Sequence, residues 1–153
     1  MTDADTAVEH VLRASLHSAR PGDAILGEER GTTSDSPRPQ PGRQWIIDPL
    51  DVTANFLRGV PIWATLIALA IDGDSVVSVV SAPALGQQWW VVAGHGAWPT
   101  RSGEAAPRKL EVSKVAQLED ARVNYNSLPG WIDDAREAQV RALAMSAWRA
   151  RYR

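Results

Sequence analysis

The chain has 153 residues, 44% of them hydrophobic, and a formal net charge of −2, the profile of one globular domain. That charge argues against a nucleic-acid binder, because the basic residues gather only in a short Arg149, Arg151, Arg153 cluster, read here as a solvated helix end. No cysteine is present to form a disulfide or a thiolate zinc site, no apolar run is long enough for a bilayer, and MTDADTAVEH does not resemble a secretory signal, so a cytoplasmic, soluble chain with no membrane partner is expected.

Residues 2–19 are expected to form a helix capped by Thr2 or Asp3, with Ala7, Val8, Val11, Leu12 and Leu16 on one face and Arg20-Pro21-Gly22 as its stop. Ala24-Ile25-Leu26 reads as a short strand that runs out into Gly27-Glu28-Glu29. The segment GTTSDSPRPQPG, 31–42, has no periodicity and reads as a mobile loop. A strand over 43–48 and a short helix over 52–58 follow.

Three strands are expected next, over 63–71, 75–82 and 88–93, the first two joined by the hairpin signal Asp72-Gly73-Asp74. Their dense apolar content predicts cover on both faces, and Trp89-Trp90 reads as core packing rather than ligand stacking. A turn at GHGAW, 94–98, short strands over 109–112 and 121–126, and a long helix over 131–150 complete the order. Ile132, Ala135, Val140, Leu143 and Ala147 form the apolar stripe of that last helix. No linker is long enough to divide the chain, so 1–153 reads as a single layered α+β domain. His10, His17 and His95 read as solvated or capping residues.

The chemistry concentrates in WIIDPLDVTANF, 45–56. Asp48 and Asp51 follow an apolar strand, and Glu28 ends the short strand before it. Neighbouring strands would bring the three carboxylates to one edge, where they raise one another's pKa unless a cation neutralises them. Oxygen-only ligands select a hard cation, so Mg²⁺ is expected, with Mn²⁺ as an alternative. Pro49 shapes the turn and leaves the Leu50 carbonyl able to join the ligands. A helix starting at Val52 would point its unpaired N–H groups at the same spot, a natural place for phosphate, with Thr53 hydrogen-bonded to a water there. Asp-Pro-x-Asp is also a common turn, and aspartate at a helix start is ordinary capping.

GEERG at 27–31, WIIDPLDVTANF at 45–56 and RGVPIWATLIAL at 58–69 together resemble the inositol monophosphatase superfamily. TDADTAVE at 2–9 is similar to its Thr-x-x-Asp-x-x-x-Glu segment, and GHGAW to its Gly-x-Gly-Ala turn. RPGDAILGEE, GRQWIIDP and VVSAPALGQQWW bring the chain nearest to the bacterial histidinol-phosphate phosphatase branch. The resemblance implies a layered α+β sugar-phosphatase-like fold of the inositol monophosphatase type, and Mg²⁺-dependent hydrolysis of a small phosphomonoester, histidinol phosphate, in histidine biosynthesis. It implies two or more metal ions held by Glu28, Asp48, Asp51 and the Leu50 carbonyl, with Asp5 near an additional position. Thr53 with Glu28 would activate the attacking water, and the Val52 and Thr53 amides would hold phosphate.

The chain departs from the family pattern at Val52, where the signature has glycine; valine is tolerable there with helical torsions, though its methyls would crowd the phosphate or metal. Relative to the family, the chain reads as the N-terminal and central portion only, with the C-terminal α/β part missing, including a Trp-Asp-x-Ala segment and its metal carboxylate. Two other readings therefore stand beside an active phosphatase. One is a truncated, catalytically inactive fragment; the other is an interaction module that forms a homo-oligomer through an exposed sheet face.

Overall fold

The computed structural model describes residues 2–33, 42–101, 108–125 and 136–152. They fall into two compact units, Met1–Glu111 and Val112–Arg153, and each is described by itself.

The first unit opens with helix α1, Asp3–Ala19. Thr2 caps it: its hydroxyl accepts from the Asp5 amide while the Asp5 carboxylate accepts from the Thr2 amide, a capping box. Strands β1 (Ala24–Gly27), β2 (Gly31–Thr33), β3 (Arg43–Asp51), β4 (Ala64–Ile71), β5 (Asp74–Ala82), β6 (Gln87–Val92) and β7 (Gly96–Arg101) form one sheet in the order β2-β1-β3-β4-β5-β6-β7. Only the β1–β3 pair is parallel; the other five pairings are antiparallel. Helix α2, Thr53–Leu57, follows β3, and α1 packs on β3. The β4–β5 turn has positive φ at both Asp72 (53°) and Gly73 (91°), as the hairpin signal requires.

Several expectations need correction. The face of α1 expected to be apolar and inward is not the buried one: Ala7 is exposed and Val11 is 61% exposed, while Asp5, Glu9 and Arg13 are buried. The expected loop at 31–42 begins as strand β2, pairing Thr33 with Ile25, and 34–41 lie outside the described residues. The turn at 94–98 runs directly into β7, an edge strand that tolerates Pro99 because its outer side needs no donor. In place of a strand over 109–112 there is one bridge, Ala97 to Leu110.

Strands β4 and β5 are half-buried rather than covered on both faces, with only Ala70 and Ala82 fully buried on them. Trp90 is likewise partly exposed, stacking on Trp98 across β6 and β7 at a centroid distance of 5.8 Å. The buried apolar residues among those described include Ile25, Ile47, Pro49, Leu50, Ala70 and Ala82, so the densest packing lies beneath β1 and β3.

Asp23, just before β1, locks the base of that region. It is 7% exposed and accepts from Arg43 Nε and Nη2, both at 3.0 Å, and from Trp45 Nε1 at 2.9 Å. Burial raises its pKa, but the Arg43 and Trp45 hydrogen bonds and the nearby positive charges outweigh it and hold the carboxyl below its ordinary value. A depressed folded pKa gives stability that is present above the unfolded pKa and lost as pH falls through the folded one. Urea midpoints followed into the acid range should therefore fall less steeply for Asp23→Asn than for the parent; parallel acid limbs would refute this role.

In the second unit, β8 (Arg122–Tyr125) pairs in parallel with β9 (Arg149–Tyr152), and helix α3, Glu137–Ser146, lies between them in sequence. The expected helix thus stops before 147, and the Arg149 and Arg151 cluster lies on a strand rather than at a helix end. Ile132, Ala135 and Arg153 lie outside the described residues, and Leu143 of the expected stripe is 43% exposed.

Candidate active site

The parallel register of β1 and β3 builds the site. Leu26 is opposite Ile46 and Gly27 opposite Ile47, so the next residues, Glu28 and Asp48, leave the two strands side by side. The Glu28 amide continues the ladder, donating to the Ile47 carbonyl at 3.2 Å. The carboxyl ends of parallel strands are where open sheets leave room for ligands. A cavity of about 490 Å³ lies here, lined by Leu26, Gly27, Glu28, Gly31, Ile46, Ile47 and Asp48.

A β-bulge brings in Asp51. Strict alternation would send Asp48 and Asp51 to opposite faces of β3, since they are three residues apart. Against β4, however, Asp48 is opposite Leu66 and Asp51 opposite Ala64, so β3 carries one extra residue there. Pro49 lies in the bulge, is fully buried, and has no N–H to contribute to a ladder. Its carbonyl accepts from Thr65 Oγ1 at 2.9 Å, which fixes the kink.

The acids at this end of the sheet act on one another through their charges. The Glu28 carboxyl is raised above its ordinary value, first by the Asp48 charge, then by burial and by a hydrogen bond with the Asp48 side chain. Asp51 is raised by burial and then by Asp48, against a lowering hydrogen bond from the Val52 amide. At Asp5 burial also pushes upward, but hydrogen bonds from the Thr2 side chain and backbone and from Thr53 win, and its carboxyl sits below the ordinary value.

Each expected residue can now be located. Leu50 is buried; its amide donates to Asp48 Oδ1 at 3.1 Å and its carbonyl accepts from Thr53 Oγ1 at 3.0 Å, leaving one lone pair. Thr53 Oγ1 also lies 3.3 Å from Asp5 Oδ1, so Asp5 on α1 reaches the same edge across 48 residues of sequence. Asp5 therefore has two threonine partners here, Thr2 and Thr53. Val52 adopts φ 62°, ψ 49°, the left-handed region rather than right-handed helical torsions, and its amide is directed to the Asp51 carboxylate. The histidines His10, His17 and His95 are exposed, as expected.

The donor chemistry fits a hard cation: the groups that converge are carboxylate, carbonyl and hydroxyl oxygens. Glu28 and Asp48 leave neighbouring strands and line the same cavity, while Glu28 and Asp51 are both exposed and each senses the charge of Asp48. Among the described residues, no three acidic or imidazole groups are tight enough to hold one ion as they stand. Glu9 is the last residue of the motif at 2–9, but its pairing with Arg13 on α1, next to the turn that carries Glu28, was not singled out; the sequence signal is the spacing of Asp5, Glu9 and Arg13 at four-residue intervals.

The inositol monophosphatase family profile matches residues 1–147. The chain is 48% identical to a histidinol-phosphatase of Mycobacterium tuberculosis and 46% identical to one of Streptomyces coelicolor, in each case over 99% of this chain and 56% of the relative. It thus spans about half the length of the curated relatives it matches. Among solved structures, the extragenic suppressor protein SuhB of Bartonella henselae superposes with a TM-score of 0.81 at 29% identity, over 99% of this chain and 55% of that one. The motifs at 27–31 and 45–56, the strand register that joins them and the profile match agree: the chain belongs to the inositol monophosphatase family.

Proposed function

We infer that this chain carries the metal and phosphate edge of a phosphomonoesterase whose substrate is histidinol phosphate. The observation that carries the reading is the parallel register that sets Glu28 beside Asp48 on the lining of one cavity, with the Thr53–Asp5 hydrogen bond and Asp51 at the same end of β3. The two histidinol-phosphatase relatives support the substrate.

Glu28, Asp48, Asp51 and the Leu50 carbonyl would hold Mg²⁺, or Mn²⁺, as two or more ions, with Asp51 brought in by movement of its exposed side chain. When bound, the metal lowers the pKa of water and neutralises charge on the phosphoryl oxygens. Thr53 donates its proton toward Asp5 or Leu50, which turns a hydroxyl lone pair toward water and, with Glu28, orients the nucleophile. Asp5, held ionised by its hydrogen bonds, keeps Thr53 in that orientation and is also the acid nearest an additional metal position. The Thr53 amide is among the first N–H groups of α2, which lack a helical partner, and it would cradle phosphate together with the Val52 amide shared from Asp51.

Phosphate release from histidinol phosphate with Mg²⁺ is the test. Asp51→Asn should reduce it by at least about a hundredfold, as loss of a charged group that acts in the transition state does. Equal rates for parent and variant would remove Asp51 from the site. No release by the parent above a metal-only blank would leave the second reading, an inactive fragment or a self-associating module. That reading is favoured by the half-exposed β4 and β5 and by the partly exposed Trp90 and Val91.

A further inference from the structure

Helix α1 buries a polar stripe. Glu9 is 0% exposed and Arg13 9%. Arg13 Nε donates to Glu9 Oε1 at 2.7 Å, Nη1 to the Ile25 carbonyl at 3.3 Å and Nη2 to the Gly31 carbonyl at 2.6 Å. The other Glu9 oxygen, Oε2, accepts from the Glu29 amide at 2.9 Å. The pair therefore grips the chain before, within and after the turn that carries Glu28. The fit is close: a Cβ on Gly27 would stand 2.6 Å from Arg13 Nη2, which explains the glycine without any appeal to torsions.

We propose that the Glu9–Arg13 pair is a positioning device that fixes the turn between Gly27 and Gly31 so that Glu28 stays beside Asp48 on the lining of the cavity. The role rests on the reading of Glu28 as a metal ligand given above. A buried ion pair is a poor way to gain stability, because well-packed apolar residues of similar volume do as well or better. What an apolar pair cannot do is hold three backbone groups at fixed angles. The planar guanidinium fork reaches two carbonyls and a carboxylate at once, and a lysine ammonium has no such fork. Groups that orient metal ligands from behind change metal affinity by about 10–100-fold when removed.

The test compares the full chain with Glu9→Leu/Arg13→Met and with Arg13→Lys. One readout is amide hydrogen exchange at Glu28, Glu29, Arg30 and Gly31 in metal-free protein; the other is Mn²⁺ affinity by calorimetry. In the double variant, β3 and β4 amides should stay protected while the four turn amides exchange about tenfold faster. Its Mn²⁺ affinity should fall by about tenfold or more, with Arg13→Lys in between. Unchanged exchange at the turn overturns the proposal whatever the metal does. Faster exchange with undiminished Mn²⁺ affinity overturns it too, since the turn would then be loosened without consequence for Glu28. Absence of Mn²⁺ binding by the parent would sink the metal reading alone, and exchange would decide the clamp by itself. Arg13→Lys carries both readouts should the double variant fail to fold.

Discussion

Truncating Glu9 to alanine is expected to destabilise the folded chain by about 3–5 kcal/mol, the cost of leaving one partner of a buried ion pair uncompensated. Arg13 would keep its bonds to the Ile25 and Gly31 carbonyls but lose the Glu9 carboxylate, and the Glu29 amide would lose that acceptor as well. Against a typical net stability of about 5–15 kcal/mol, a loss of that size is a large share. A second ion pair on a helix in the same chain gives the contrast. Glu137 and Arg141 are 2.9 Å apart with side chains 43% and 73% exposed. Such an exposed i,i+4 pair contributes about 0.3–0.5 kcal/mol, so Glu137→Ala should barely move the urea midpoint. Glu9→Ala should shift it strongly at unchanged denaturant slope. Equal shifts for the two variants would mean that the burial of Glu9 carries no energetic weight.

The same pair shows where sequence reasoning lost its way. Hydrophobic periodicity locates α1 but assigns its inward face by apolarity, and here a polar network takes that face: Asp5 reaches Thr53, while Glu9 and Arg13 hold the turn. Strand β2 is only three residues, too short for any period to register, and Gly96 with Pro99 disguises β7 as a turn. Past Ala147 the alternation Arg149-Ala150-Arg151-Tyr152 is a period-two signal that the helical stripe upstream overran. By contrast, β1, β3, their adjacency and the Asp72-Gly73 hairpin were legible, because short apolar runs bounded by turn residues leave few arrangements open. The bulge that admits Asp51 was half legible: Pro49 announces an interrupted ladder, but not how far the register shifts.

Val52→Gly is expected to stabilise the chain by about 1 kcal/mol, a gain at the centre of the site rather than a loss. Asp51 still pairs with Ala64 in the sheet and α2 begins at Thr53, so Val52 alone must reverse the chain, and it does so at φ 62°, ψ 49°. A β-branched residue held there bears strain of about 1–3 kcal/mol, which glycine does not. Glycine gives back about 0.4–1 kcal/mol through the greater entropy of its unfolded chain, leaving a net gain. Val52→Ala is the control. It removes the same methyl groups but keeps a Cβ in the left-handed region, where L residues other than asparagine and aspartate are penalised by about 1–2 kcal/mol. Thermal melts should therefore rank glycine above both valine and alanine at this position, and equal melting of the glycine and alanine variants would show that the backbone there is unstrained. Removing the methyls also clears the approach to the Val52 and Thr53 amides, so inorganic phosphate should bind more tightly to both variants than to the parent in the presence of Mn²⁺. Tighter melting without tighter phosphate binding would separate the strain at Val52 from any part it has in holding the anion.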